Sequence, residues 1–139
     1  MRSSQLLFVI GTMFAFAATM TFSLPGLGQQ IKGLVKGVPI KVPILGTATW
    51  YGQQSRGSCG WWSKDSDYVV ALSHDLPYNK HCGKYVVVNY LGKHIRAKVS
   101  DTCMGCDPPH IDLSRGAFAK LSNGNYNLGK LDVLWKFDD

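Results

Sequence analysis

The four cysteines, Cys59, Cys82, Cys103 and Cys106, most narrow what this short chain can fold into. What they mean depends on the redox compartment, and the N-terminus speaks to that. Arg2 precedes an apolar run from Leu6 to Met20, after which come Thr21-Phe22-Ser23 and Pro25. A basic start, an apolar core of this length and small residues before a proline form the pattern of a secretory signal peptide, expected over 1–23. A membrane anchor would need about 20 apolar residues and stronger flanking charge. In an oxidising compartment four cysteines read as two disulfides, with three connectivities open. A structural zinc site would more often show two close pairs, and only Cys103-x-x-Cys106 is close. A thioredoxin-type redox motif would require a βαβ context that the pattern lacks.

With the signal peptide removed, roughly 115 residues remain, enough for one domain with a modest core. Fifteen Lys and Arg stand against nine Asp and Glu, giving a formal net charge of +6. The lysines are scattered and no arginine-rich block exists, so a nucleic-acid partner is not expected, and neither is a membrane partner once the signal peptide is gone. Residues 24–45 combine Gly, Pro and Lys without helical period, and Pro39 and Pro43 argue against a central strand. They are expected to form a flexible leader before a domain over 46–139.

Within that domain the apolar pattern has the period of strands. Thr47–Tyr51, Tyr68–Leu72, Lys84–Tyr90, Lys93–Val99 and Leu131–Phe137 read as short strands, with Leu91-Gly92 as a hairpin connection. In the fourth, Ile95, Ala97 and Val99 alternate with His94, Arg96 and Lys98, which predicts one buried and one solvent face. A helix is expected to open at Asp112-Leu113-Ser114, capped by Asp112 or Ser114. About six strands and one or two short helices favour an all-β closed barrel, since closure removes exposed edges.

Four motifs in order carry a family resemblance: Gly46-Thr-Ala-Thr-Trp-Tyr-Gly52, Ser58-Cys-Gly-Trp61, Cys82-Gly-Lys84, and the block from Val99 to Phe118 containing Asp101 and His110-Ile-Asp-Leu-Ser114. The chain resembles, over about residues 46–137, the double-psi β-barrel superfamily. That group includes expansins, loosenins, barwin-like proteins, bacterial rare-lipoprotein-A enzymes and a set of inverting endoglucanases. The pattern is most similar to short fungal loosenin-like proteins, which consist of this six-stranded barrel alone.

The resemblance implies site residues. Asp112 matches the carboxylate that acts as general acid in the endoglucanases and is required in expansins; Asp101 matches a second acidic expansin residue. Thr49 and Tyr51 match first-strand positions lining the same groove, and His110 is a further candidate. Aligned with the endoglucanases, the position of the catalytic base is Gln53, and an amide cannot accept a proton from water. Asp65, Asp67 and Asp75 are other carboxylates, but nothing in the sequence brings them to that place. A non-hydrolytic protein that binds or loosens cell-wall polysaccharide is therefore expected, secreted, monomeric and needing no cofactor or metal. The alternatives are a weak glycan-cleaving enzyme of endoglucanase or lytic transglycosylase type, and a cysteine-protease inhibitor or defence effector.

Aromatic candidates for sugar stacking are Trp50, Tyr51, Trp61, Trp62, Tyr68 and Tyr78. Consecutive Trp61 and Trp62 cannot both enter one core if extended; Trp61 sits in the Cys-Gly-Trp motif of the resemblance, which implies that Trp62 is the one outside. His74, His81 and His94 read as ordinary surface histidines. The resemblance also implies a Cys59–Cys82 disulfide, which leaves Cys103 and Cys106 for the second bridge.

Overall fold

A computed structural model describes residues 42–76 and 80–138. The expected signal peptide, nearly all of the expected leader, and Tyr78 lie outside the described residues. Eight strands form: β1 Ile44–Tyr51, β2 Ser55–Arg56, β3 Trp62–Ser63, β4 Val69–Ser73, β5 Tyr85–Tyr90, β6 Lys93–Cys103, β7 Ile111–Ser114 and β8 Leu131–Asp138. Six of them close a barrel in the order β1-β7-β4-β6-β5-β8, and β2 and β3 make a separate two-stranded hairpin. The pairs β1–β7 and β4–β6 are parallel, while the other four barrel pairs are antiparallel.

Alternation along the strands decides what fills the barrel. In β8, Leu131, Val133, Trp135 and Phe137 are buried while Asp132, Leu134 and Lys136 face outward. β6 behaves as its sequence predicts, with Ile95, Ala97 and Val99 inside and His94 and Arg96 exposed. All five residues of β4 are buried, because strands flank both of its edges and cover lies over both of its faces. Trp135 and Phe118 are the largest fully buried side chains. Leu91 and Gly92 both take positive φ, 45° and 82°, which matches the twist a two-residue hairpin needs.

Two expectations need correction. β1 begins at Ile44, two residues before the expected start of the domain, because Ile44 and Leu45 pair with Trp135 and Leu134 of β8. Asp112-Leu113-Ser114, expected to open a helix, lies instead in strand β7, Ile111–Ser114, paired with both β1 and β4. A four-residue strand shows too little period for sequence alone to separate it from a helix start. The helix α1 is Arg115–Ser122, and Ser114 caps it by accepting from the Ala117 N–H. Asp112 is thereby free of a capping role. Ala117, Phe118 and Leu121 seat the helix against the barrel core.

Two disulfides join the cysteines as the resemblance implied, Cys59–Cys82 and Cys103–Cys106. The first ties the β2–β3 hairpin to the segment before β5. The second closes a short loop directly after β6.

Candidate functional site

Strand register builds the site. Thr49 of β1 pairs with Asp112 of β7, Asp112 pairs with Ala71 of β4, and Ala71 pairs with Asp101 of β6. Paired residues on neighbouring strands point to the same side, so Thr49, Asp112, Ala71 and Asp101 form one rung across four strands. Neighbouring strands lie about 4.8 Å apart, which sets the Cα atoms of the two aspartates roughly 10 Å from each other. Ala71, the smallest of the four, is the floor between them.

A β-bulge makes this rung possible. The β4–β6 register shifts between Val70 and Ala71: Val70 faces Val99, but Ala71 faces Asp101 rather than Ser100. Strict alternation from Ile95, Ala97 and Val99 would turn Asp101 inward. The extra residue, Ser100, is fully buried, and Asp101 emerges half-buried on the outer side. Gly57 accommodates the bulge, since a Cβ there would stand 2.3 Å from the Ser100 carbonyl oxygen.

Asp101 does not stand free. Its Oδ1 accepts from the Ser58 N–H at 2.9 Å and from the Thr102 N–H at 2.8 Å. The β2–β3 hairpin is thus moored to the rung through Ser58.

His110 lies two residues before Asp112 and so faces the same side of the extended chain. Thr49 connects them: its hydroxyl donates to Asp112 Oδ1 at 2.8 Å and lies 2.8 Å from His110 Nε2. A hydroxyl has one proton to give. While Thr49 donates to Asp112 it must accept from His110, which places a proton on Nε2. Were Asp112 protonated, the same chain could run in reverse. Burial pushes the Asp112 carboxyl above the usual carboxylate range and the Asp101 charge adds to this, while the Thr49 hydrogen bond and His110 pull it back.

The loop carrying His110 is itself locked. Trp135, fully buried, donates its indole N–H to the Pro109 carbonyl at 2.9 Å. Gly46 permits that carbonyl to enter, since a Cβ there would sit 1.9 Å from the Pro109 oxygen. On the far side of His110 opens a cleft of about 570 Å³ that Leu45, Thr47 and Asp132 also line.

Tyr51 follows Thr49 by two residues and is half-buried on the same side of β1. Burial raises its phenol strongly, and the Asp101 charge adds more than that of Asp112. The ring therefore brings its hydroxyl under the influence of both carboxylates. Neither that hydroxyl nor the neighbouring one of Ser100 makes a hydrogen bond of standard geometry among the described residues.

Thr49, Tyr51, His110, Asp112 and Asp101 thus come together, but Trp62 does not join them. Trp62 is outside, as expected, at 62% exposure. It lines a different depression, with Trp61, Tyr68, Tyr85, Arg96 and Lys98. Trp50 packs instead against Phe118 and Tyr126. His81 is not an ordinary surface histidine: it is half-buried, stacks on Phe137 at 4.7 Å, and burial beside Lys84 and Lys80 lowers its pKa. Gln53 is 1% exposed, its side-chain amide donating to the Ser55 carbonyl. Asp65 lies near it, accepting from the Gln53 N–H and the Gln54 amide. Asp67 accepts from the Lys64 N–H, and Asp75 pairs with His74. Ala71 and the Ser100 bulge were missed by sequence reasoning. An isolated Ala in an apolar strand carries no chemical signal, and a bulge shows only as a break in alternation. Among the described residues no three His, Cys, Asp or Glu side chains converge in a way that could hold a metal ion.

No family model matches the chain. It is 34% identical over 102 residues to Allergen Asp f 7 of Aspergillus fumigatus, a match covering 69% of this chain but only 37% of the allergen. It is 31% identical over 116 residues to Papain inhibitor of Streptomyces mobaraensis, covering 72% of this chain and 75% of the inhibitor. The solved structure of the Streptomyces papain inhibitor superimposes with a TM-score of 0.65 at 35% identity, covering 73% of this chain and 99% of that one. A Clavibacter michiganensis expansin in complex with cellohexaose follows with a TM-score of 0.63 at 27% identity, covering 70% of this chain and 51% of the expansin. With its closed six-stranded barrel and these relatives, the chain belongs to the double-psi β-barrel family that holds the expansins and the Streptomyces papain inhibitor.

Proposed function

We propose that the protein is a secreted, non-hydrolytic, expansin-like protein that binds and loosens cell-wall polysaccharide through the groove of Asp112 and Asp101. The observation that carries this reading is the rung Thr49–Asp112–Ala71–Asp101, with a small floor between two carboxylates and His110 linked through Thr49. Such a surface offers donors and acceptors to sugar hydroxyls. Each hydrogen bond gained nets only about 0.5 to 1.5 kcal/mol, so action on a polymer is cumulative and reversible. The expansin solved with cellohexaose supports a glucan as the class of ligand.

Inverting hydrolysis requires an acid and a base on opposite sides of the scissile bond. At the position that the resemblance gives to the base stands Gln53, a buried amide that takes no proton from water. Asp101 is across the groove, yet one of its oxygens is held by two backbone amides. Both features support binding without turnover. Sedimentation with cellulose, chitin, xylan and peptidoglycan, together with assay of released reducing ends, tests this. Retention on a polymer without sugar release, and loss of retention in Asp112→Ala, are expected. Release of reducing ends that Asp112→Asn abolishes would replace the reading with an enzyme.

A second reading, inhibition of cysteine proteases, draws on one specific observation. The match covers 99% of the papain inhibitor's solved chain but about half of the expansin's. Titration of papain with the purified protein separates the two, since stoichiometric loss of protease activity is expected only under the second.

A further inference from the structure

Trp62 and its neighbours form a second concave surface that shares no lining residue with the Asp112 rung. It is a depression of about 360 Å³ on the outer face of β5 and β6, flanked by the β2–β3 hairpin. Trp62 is 62% exposed and Tyr68 40% exposed. Two cations from the outward positions of β6 stand among the rings. The Arg96 guanidinium lies 3.5 Å from the centre of the Tyr85 ring, and the Lys98 ammonium lies 4.3 Å from that of Trp61. Arg96 is paired with Asp138, whereas no carboxylate among the described residues pairs with Lys98. Asp67 also lines the depression, but its Oδ2 accepts from the Lys64 N–H.

Exposed Trp and Tyr faces call for a ligand with a flat C–H surface, and an unpaired ammonium among them calls for an anion. A uronic-acid polymer offers both in each sugar. Single-stranded nucleic acid also stacks on aromatic rings, but it is held by a track of several cations along its backbone. Among the described residues only two stand together here, one already paired. We propose that the Trp62 depression is a separate binding site for a carboxylated polysaccharide, with the sugar face on Trp62 and Tyr68 and the carboxylate at Lys98. This takes from the previous reading only the polysaccharide as ligand, and it does not depend on the groove.

The test is titration of the full chain with polygalacturonate and with the same polymer fully methyl-esterified, at low and raised salt. Saturable binding of the acid form is expected, about tenfold tighter than of the ester, with the difference shrinking as salt rises. Trp62→Ala and Lys98→Gln should each weaken binding of the acid form by roughly fivefold or more. Tyr68→Ser is a second aromatic variant, should Trp62→Ala disturb the hairpin. Asp112→Asn should leave this affinity unchanged while abolishing groove retention on neutral polymer, so the two sites fail separately. Equal affinity for acid and ester would overturn the proposal. So would unchanged binding in Lys98→Gln and both aromatic variants, a loss in Asp112→Asn as large as theirs, or tighter binding of single-stranded RNA than of polygalacturonate.

Discussion

The two concave regions of the barrel are held in place by different means. Around Asp112 the polar groups are half-buried and bonded to one another, on strands paired on both sides. The loop that carries His110 is fastened by a buried indole. Around Trp62 the rings of Trp62 and Tyr68 are exposed, and Trp62 sits on a hairpin with only two residue pairs. What holds that hairpin is the Cys59–Cys82 disulfide, the Cys59 N–H donating to the Ser100 carbonyl, and the Ser58 bond to Asp101. The lesson is that a hydrogen-bonded rung fixes its geometry from within, whereas an exposed aromatic platform borrows rigidity from a covalent tie. The regions meet at Asp101, which belongs to the rung and moors the hairpin.

This contrast can be broken from either side. The largest effect is expected from removing the disulfide in a Cys59→Ser, Cys82→Ser double variant. In the loop-entropy model a closed loop of this size is worth about 3 to 4 kcal/mol. Denaturant unfolding should show that loss, and hydrogen exchange should rise first at residues 55–63. Equal loosening of β7 would end the distinction between the regions. Gly46→Ala attacks the other side, since its Cβ would meet the Pro109 carbonyl at 1.9 Å. A cost of about 2 to 3 kcal/mol is expected, of the order of core overpacking. Groove retention on polymer should fall while polygalacturonate binding persists.

Thr49→Val keeps the shape and removes the hydroxyl between His110 and Asp112. Leaving such half-buried partners without their bond costs about 1 to 2 kcal/mol. Imidazole NMR should show His110 losing its preference for a proton on Nε2, which a purely structural role for Thr49 would not alter.

The smallest effect is one of sign. Burial raises the Asp112 carboxyl in the folded state above its unfolded value. The native form therefore binds the proton more readily, and stability falls as pH rises from the unfolded pKa through the folded one. Asp112→Asn should remove that slope, so its melting temperature gains on the wild type as pH rises from about 4 towards neutrality. A gap that stays constant with pH would place the carboxyl in solvent, and one that narrows would mean its charged form is stabilised; either would overturn the raised Asp112 pKa.

Much of this was legible in the residues. Alternation in β6 assigned the buried face of that strand correctly, because a two-residue period on a closed barrel leaves each strand a single inner side. The candidate site residues Thr49, Tyr51, His110, Asp101 and Asp112 were singled out only through resemblance of their motifs, since an aspartate before a helix looks the same as a cap.

Local pattern by itself determined the class of fold, the inner face of β6 and that Trp61 and Trp62 cannot share one core, for these depend on neighbours one or two residues away. Only the tertiary structure decided that Ile111–Ser114 is a strand, that Ser100 bulges to turn Asp101 outward, and that Ala71 lies between Asp112 and Asp101. It also separated Trp62 from Asp112. Each of those outcomes depends on which strands lie side by side, and register between strands distant in sequence is set by packing of the whole barrel rather than by any local preference.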